Sequence, residues 1–317
     1  MLGQVLSGRS LWQRKDFEAS PLPRFHLDQT CQAELKQAVQ GLHDFSKLLD
    51  IKPENFALPS CQFLMAKVRS TLDSGCGFAV VGSLDSYART ESAFAYWLLG
   101  RLLGPPFKQN VRGDFLYDVR DLGYSVKDGV RASVTAEETG FHTDYTFGDP
   151  QPDYVGLLCI QPATEGGLSQ IVSAYSVHNA LLNDDRDALE TLYGHFHFDK
   201  RGEFLEGEAE TLERPVFEYG SGTLSFRYMP EYIRSGHKKV GKALTTSQNL
   251  ALNRLDNILK TPSLQVEFPL ASGEMLWINN IWIAHNRTAF KDDQQQPEKK
   301  RHYVRLWIRR PRGEKEA

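Results

Sequence analysis

The run Gly140-Phe141-His142-Thr143-Asp144-Tyr145-Thr146-Phe147 carries a histidine and an aspartate one residue apart. On an extended segment side chains alternate with period two, so His142 and Asp144 project to the same side. An imidazole and a carboxylate aimed at one point suit a divalent metal. They supply two of the three ligands of a facial triad, a geometry that leaves positions open for oxygen chemistry on Fe(II). The pattern is not specific alone, because the chain has nine His and 40 acidic residues. The rest of the sequence must supply a third ligand and a fold to hold it.

Upstream of this run the pattern is helical. Residues 31–48 carry Leu35, Val39, Leu42 and Phe45 at helical spacing, which predicts an amphipathic helix. Residues 62–73 repeat the pattern, and Gly75 and Gly77 end it. Phe78-Ala79-Val80-Val81 is a continuous apolar run and reads as a buried strand. A further helix is expected over 90–103, closed by Gly104-Pro105-Pro106. From residue 107 short strand-like runs take over, at 114–119, 133–135, 153–160, 168–172, 195–198, 215–219 and 223–228. More follow at 264–268, 274–279, 281–284 and 303–309, with helices at 174–183, 185–193 and 245–260. The stretch 292–300, rich in Gln and charge, reads as a solvated loop. Early helices and late strands argue for an α+β chain with a β-barrel or sandwich faced by helices, rather than alternating β-α units.

Length and composition set outer limits. A chain of 317 residues is long enough for one large domain. We read a single domain, with 1–60 as N-terminal extension and helix and 61–312 as the core. The apolar share of 41% and charged share of 24% are those of an ordinary globular protein. A net charge of −3 gives no electrostatic footprint for nucleic acid. The four Cys (Cys31, Cys61, Cys76, Cys159) form no C-x-x-C pair, so neither a zinc knuckle nor a redox motif is indicated. The start Met1-Leu2-Gly3-Gln4-Val5-Leu6 does not read as a secretory signal, and no apolar run reaches the roughly 18 residues of a membrane span. These features lead us to expect a cytoplasmic protein with reduced thiols that acts on a small molecule, binding neither nucleic acid nor membrane. A homo-oligomer is compatible with them.

His285 is a candidate third ligand, at the end of the aromatic, strand-like segment Trp282-Ile283-Ala284-His285. His195 and His197 on another strand, His178 in a helix, His237 in a basic loop and His302 beside a basic cluster compete with it, and composition does not choose among them. Arg301 and Arg305 are four apart, so on a strand their side chains share a face, about 13 Å from each other at ~3.3 Å per residue. Two guanidiniums on an inner face are costly unless each meets an anion. The alternative is an edge strand with both in solvent; Tyr303, Val304, Leu306 and Trp307 argue for at least one buried face.

Together these segments resemble a known family. Phe141-His142-Thr143-Asp144, Glu165-Gly166-Gly167-Leu168-Ser169, Asn279 through Phe290, and Arg301-His302-Tyr303-Val304-Arg305 are similar, in order and spacing, to the taurine dioxygenase family within the clavaminate synthase-like Fe(II)/2-oxoglutarate oxygenases. The resemblance covers roughly residues 60–310. It implies a double-stranded β-helix (jelly-roll) core with flanking helices. It implies Fe(II) held by His142, Asp144 and His285, with 2-oxoglutarate and O2 as cosubstrates. It also implies that Arg301, helped by the Ser169 hydroxyl, pairs the far carboxylate of 2-oxoglutarate, and that Arg305 matches a position contacting an acidic group of the substrate in some members. The gap between His285 and Arg301 is longer than usual in the family, which keeps Arg305 open as the cosubstrate anchor.

The residue types suit that chemistry. A planar guanidinium is a two-pronged donor to a carboxylate in a way that an ammonium is not. Hydroxylation of a small acidic or amino-acid-like metabolite, as in natural-product biosynthesis, is the reaction expected, with desaturation or cyclisation as relatives. Candidate substrate contacts are Arg305, Tyr145, Phe147 and Arg227, and the segments Arg227-Tyr228-Met229-Pro230-Glu231-Tyr232 and Gln109-Asn110 are further candidate walls. Two other classes were weighed. A non-catalytic jelly-roll binding protein would leave the His and Asp incidental. A zinc hydrolase also uses His and Asp ligands, but needs a general base, and no H-E-x-x-H is present.

Overall fold

The last strand of the chain is the one on which the large sheet is built. A computed structural model of the protein describes residues 4–18, 20–125, 130–293, 295–296 and 299–311. In chain order its early strands are β1 (Arg24–His26), β2 (Phe78–Gly82), β3 (Pro106–Phe107), β4 (Leu116–Val119), β5 (Tyr154–Gln161), β6 (Glu165–Gly166), β7 (Ser169–Ser173) and β8 (His195–Asp199). The later ones are β9 (Thr211–Pro215), β10 (Phe217–Gly220), β11 (Thr223–Phe226), β12 (Gln265–Phe268), β13 (Met275–Asn279), β14 (Ile283–Arg287), β15 (Phe290–Lys291) and β16 (His302–Ile308). The helices are α1 (Gln29–Val39), α2 (Pro59–Ser74), α3 (Arg89–Leu103), α4 (Ala174–Asp184), α5 (Arg186–Leu192), α6 (Pro230–Lys239) and α7 (Thr246–Leu259).

The large sheet runs β1-β2-β13-β5-β16-β3, with β4 also paired to β16. A smaller sheet runs β12-β7-β14, and three two-stranded pairs (β8-β9, β10-β11, β6-β15) complete the β structure among the described residues. The strand β16 alternates as a two-sided strand must. Val304, Leu306 and Ile308 join the core beneath α1, α2 and α3. Tyr303 and Trp307 join the other core, which the smaller sheet and α4, α5 and α7 share. Helix α3 is buried almost all round, from Ala93 through Gly100, because the sheet lies on one side and α1 and α2 on the other. At Gly77, with φ +81, an added Cβ would stand 2.3 Å from the ring of Trp282, so the close approach of that indole requires glycine. No described helix is long and apolar enough to cross a membrane.

Several local readings change. The helix expected over 31–48 stops at Val39, because Gly41 takes a φ of +79 and the Asp44 carboxylate accepts from Ser46 N to open a separate 3-10 turn over Phe45–Asp50. The strand expected at 133–135 is instead a 3-10 turn, Ala132–Val134, with Val134 N donating to Arg131 O; a turn bond overrides the β preference of Val134. His237 lies in α6, not in a loop. That helix escaped notice because its sequence is mostly polar, and Pro230 at its first position marks a start that the apolar pattern does not. Of the loop read at 292–300, residues 294, 297 and 298 lie outside the described residues.

Candidate metal and cosubstrate site

His285 sits in the middle of β14, opposite Ile171 of β7. On the other edge of β14, His142 N donates to His285 O at 2.9 Å and His285 N to His142 O at 2.9 Å. This isolated bridge, not a full strand, sets the two imidazoles side by side, with ring centroids 4.2 Å apart. The following residues are pinned from both sides. Thr143 N donates to Tyr228 O at 3.0 Å. Asp144 N donates to Asn280 Oδ1 at 2.7 Å, and Asn280 Nδ2 returns to Asp144 O at 3.0 Å. Beyond Asp144 the backbone turns, with Tyr145 at a φ of +55. The extended geometry therefore lasts only long enough to aim His142 and Asp144 the same way.

The three side chains meet at one point. Their ligand atoms lie within 4.8 Å of one another and all three residues are buried. His142 Nδ1 hydrogen-bonds Gly140 O at 2.9 Å, which directs Nε2 toward Asp144 Oδ1, 3.6 Å away. His285 Nε2 lies 3.9 Å from the same oxygen. Burial and the neighbouring His142 push the His285 imidazole down to about 3, so it presents a neutral nitrogen at ordinary pH. Burial pushes the Asp144 carboxyl up, but Arg305 and the two imidazoles outweigh it and hold the group well below the usual carboxylate range. Two imidazoles and one ionised carboxylate, converging on one point, form the donor set that suits a divalent iron.

Both oxygens of Asp144 are also held from behind. Arg305 Nη1 donates to Oδ1 at 3.2 Å, and the indole Nε1 of Trp307 donates to Oδ2 at 2.7 Å. Arg305 is steadied in turn by Gln109 Oε1, which accepts from its Nε at 2.8 Å, and by the rings of Tyr117 and Trp307. The sequence leaves Arg305 in need of an anion, from the substrate or from an acid of the protein. The structure gives it an internal one, Asp144, so its burial does not by itself demand an acidic substrate.

A cavity of about 110 Å³ opens over this cluster. Among its lining residues are four arginines, Arg131, Arg287, Arg301 and Arg305, against a single acid, Asp144. Arg131 is paired with Glu203 at 2.5 Å, and Arg305 with Asp144. The Arg287 and Arg301 guanidiniums form no ion pair among the described residues, and each leaves Nε and Nη1 buried without a hydrogen bond; the Asp292 carboxylate accepts from Arg301 N at 3.0 Å rather than from its side chain. Arg301 stacks 3.8 Å from the Tyr303 ring centroid, and burial lowers its pKa. Ser169 lines the same cavity and sits opposite Arg287 in the β7-β14 register.

The other sequence candidates divide. Tyr145 and Phe147 line the cavity and pack on each other. Arg227 does not line it: its Nη1 donates to Thr146 O and Gly148 O and so braces the turn after Asp144. Gln109 holds Arg305, and Asn110 donates to Asp114, so neither forms a cavity wall. His178, His195, His197, His237 and His302 all lie away from the cluster. Of the segment 227–232, Met229 and Tyr232 do line the cavity. The sequence does not single out Arg287, Trp307 or Arg131 as lining residues. Period two would find two of them, since Arg287 follows His285 and Trp307 follows Arg305 by two residues on their strands.

Comparison with known proteins agrees with this geometry. FR-33289 synthase of Streptomyces rubellomurinus is 29% identical over 315 residues, 97% of this chain and 91% of that protein. A taurine hydroxylase-like protein of Stachybotrys chartarum is 25% identical over 86% of this chain and 72% of its own. Among solved structures, asparagine oxygenase with Fe(II), 3-hydroxyasparagine and succinate superposes with a TM-score of 0.67 at 16% identity, over 90% of this chain and 93% of that one. The non-haem iron oxygenase OrfP with Fe and alpha-ketoglutaric acid gives 0.63 at 15% identity, over 90% and 94%. The taurine catabolism dioxygenase TauD, TfdA family matches residues 44–307. With that span of the chain matched and its His-Asp-His cluster assembled, the chain belongs to the TauD/TfdA family and is a 2-oxoglutarate-dependent non-haem iron dioxygenase.

Proposed function

We propose that His142, Asp144 and His285 hold the Fe(II), that Arg301 with Ser169 holds the far carboxylate of 2-oxoglutarate, and that the protein hydroxylates a small acidic or amino-acid-like metabolite. The observation that carries this reading is one cavity with a His-Asp-His cluster and, in the same wall, buried guanidiniums without a counter-charge. A buried, unpaired cation is costly, and a carboxylate brought in by a ligand removes that cost. When bound, Fe(II) supplies the activation of O2 that couples 2-oxoglutarate decarboxylation to oxidation of the substrate.

The chain's own residues do the rest. His142 and His285 supply imidazole nitrogens, and Asp144 supplies charge in an orientation fixed by Arg305 and Trp307. Tyr145, Phe147, Met229 and Tyr232 form an apolar wall that keeps water from the reacting carbon. The two facing sheets we read as the jelly roll, in one domain. Support for an amino-acid-like target comes from asparagine oxygenase and OrfP, solved with 3-hydroxyasparagine and (3S)-hydroxy-L-Arg. Asp144 occupies the position that would have to be vacated for a halide to bind, so hydroxylation is expected and halogenation is not.

The test is succinate formation from 2-oxoglutarate in the presence of a panel of amino acids, sulfonates, phosphonates and neutral aromatics. Stimulation by anionic or zwitterionic compounds, with one oxygen atom added to the product, supports the reading. Stimulation by neutral compounds alone, or a chlorinated product, contradicts it.

A further inference from the structure

Arg287 is unexplained by the site as assigned so far. It lies two residues after His285 on β14, on the face that carries the metal ligand, and opposite Ser169. It is buried, at 7% exposure, and its Nη2 donates to Glu137 O while Nε and Nη1 have no partner. Arg301 approaches the same place from β16. Both guanidiniums stack on one ring, Phe290, at 4.9 and 5.1 Å from its centroid, and the backbone of Gly167 leaves room beside Arg301, where a Cβ would stand 3.2 Å from Nε. Two cations that repel each other, both desolvated, stay in one pocket only if something anionic belongs between them.

We propose that Arg287 is a second anchor for the far carboxylate of 2-oxoglutarate, so that one carboxylate is held between Arg287 and Arg301. This rests on the assignment of 2-oxoglutarate as cosubstrate and adds a residue to it. A carboxylate has about four lone-pair sites and can accept from both guanidiniums and from Ser169 together. The same arginine ties the cosubstrate end to the cavity rim. Arg287 N donates to Thr139 Oγ1 at 2.9 Å, Thr139 N donates to Arg287 O at 3.2 Å, and Nη2 holds Glu137 O. Arg287 therefore sets both the grip on the carboxylate and the placement of the segment that bears Arg131 and Ser133.

The experiment is an anaerobic titration of the Fe(II)-loaded protein with two acids, read by the visible charge-transfer band. One is 2-oxoglutarate. The other is 2-oxopentanoate, which keeps the 2-oxo acid end and lacks the far carboxylate. Arg287→Gln should raise the 2-oxoglutarate dissociation constant by at least about tenfold, the loss of one charge-assisted hydrogen bond. It should move the 2-oxopentanoate constant by less than about twofold, because that acid makes no such bond. Arg287→Lys, which keeps the charge and loses the fork, should fall between; it also serves if the Gln variant does not fold. Equal weakening of both acids, or no change for either, overturns the inference while leaving the cosubstrate assignment intact. No band with either acid in the unsubstituted protein overturns the cosubstrate assignment and this inference with it.

Discussion

Trp307 sets the metal carboxylate in place through one atom. Its indole N–H, 2.7 Å from Asp144 Oδ2, fixes the carboxylate so that Oδ1 faces His142 and His285, as the proposed metal site requires. Partners of this kind orient a ligand without touching the ion, and losing one commonly weakens metal binding by about 10–100-fold. Trp307→Phe keeps the ring against Tyr145 and Phe107 but removes the donor. We predict an Fe(II) dissociation constant raised by roughly tenfold or more, with an unchanged circular dichroism spectrum; unchanged affinity would show that Asp144 needs no such support. Arg305 acts on the other oxygen. Removing one member of a buried ion pair costs about 3–5 kcal/mol, because the remaining charge is stranded. Arg305→Met should lower the stability of the metal-free protein toward that extent, measured by urea unfolding, and added Fe(II) should restore part of it. A metal-free Arg305→Met protein as stable as the parent would mean that Asp144 is solvated.

At the level of elements, the packing of the early helices on the large sheet and the aim of the ligands are linked through a single close approach. Gly77 has φ +81, and the ring of Trp282, just ahead of β14, fills the space that a side chain would need. Gly77→Ala should cost roughly 2–5 kcal/mol, the sum of backbone strain and overpacking. It should also displace β14, so iron affinity should fall along with stability; loss of stability with iron affinity intact would separate the two. The same scale shows what was legible in the sequence. Apolar periodicity located α2 and α7, which each bury one face, end signals located α3, and continuous apolar runs located strands such as β2 and β5, which are buried on both faces. The polar helix α6 has no such face to display, and the Ala132–Val134 turn is decided by one hydrogen bond that periodicity does not register. The His142–Asp144 spacing placed the two side chains on one side through a strand argument, although the segment is a one-residue bridge followed by a turn. Arg227 was assigned to the pocket from its position beside Tyr228, whereas its side chain turns to the carbonyls of Thr146 and Gly148. A residue's distance along the chain does not say which way it faces once the strand has ended.

For the molecule as a whole, the cavity carries an excess of positive charge that a ligand must complete. Ligand binding then contributes to folding by mass action, about 2.7 kcal/mol at one hundred times the dissociation constant. Fe(II) with 2-oxoglutarate should therefore raise the thermal midpoint by a few degrees, measured without oxygen, and the increment should shrink in Arg301→Ala and Arg287→Gln. An increment of full size in both variants would place the far carboxylate elsewhere.

The most direct test of the central claim is an anaerobic addition of Fe(II) and then 2-oxoglutarate to the protein, followed in the visible. The account predicts no band with Fe(II) alone, a charge-transfer band that saturates near one 2-oxoglutarate per chain, and loss of both iron and band in a folded His285→Ala variant. Stoichiometric iron retained by His285→Ala, or no band in the unsubstituted protein at saturating 2-oxoglutarate, would contradict it.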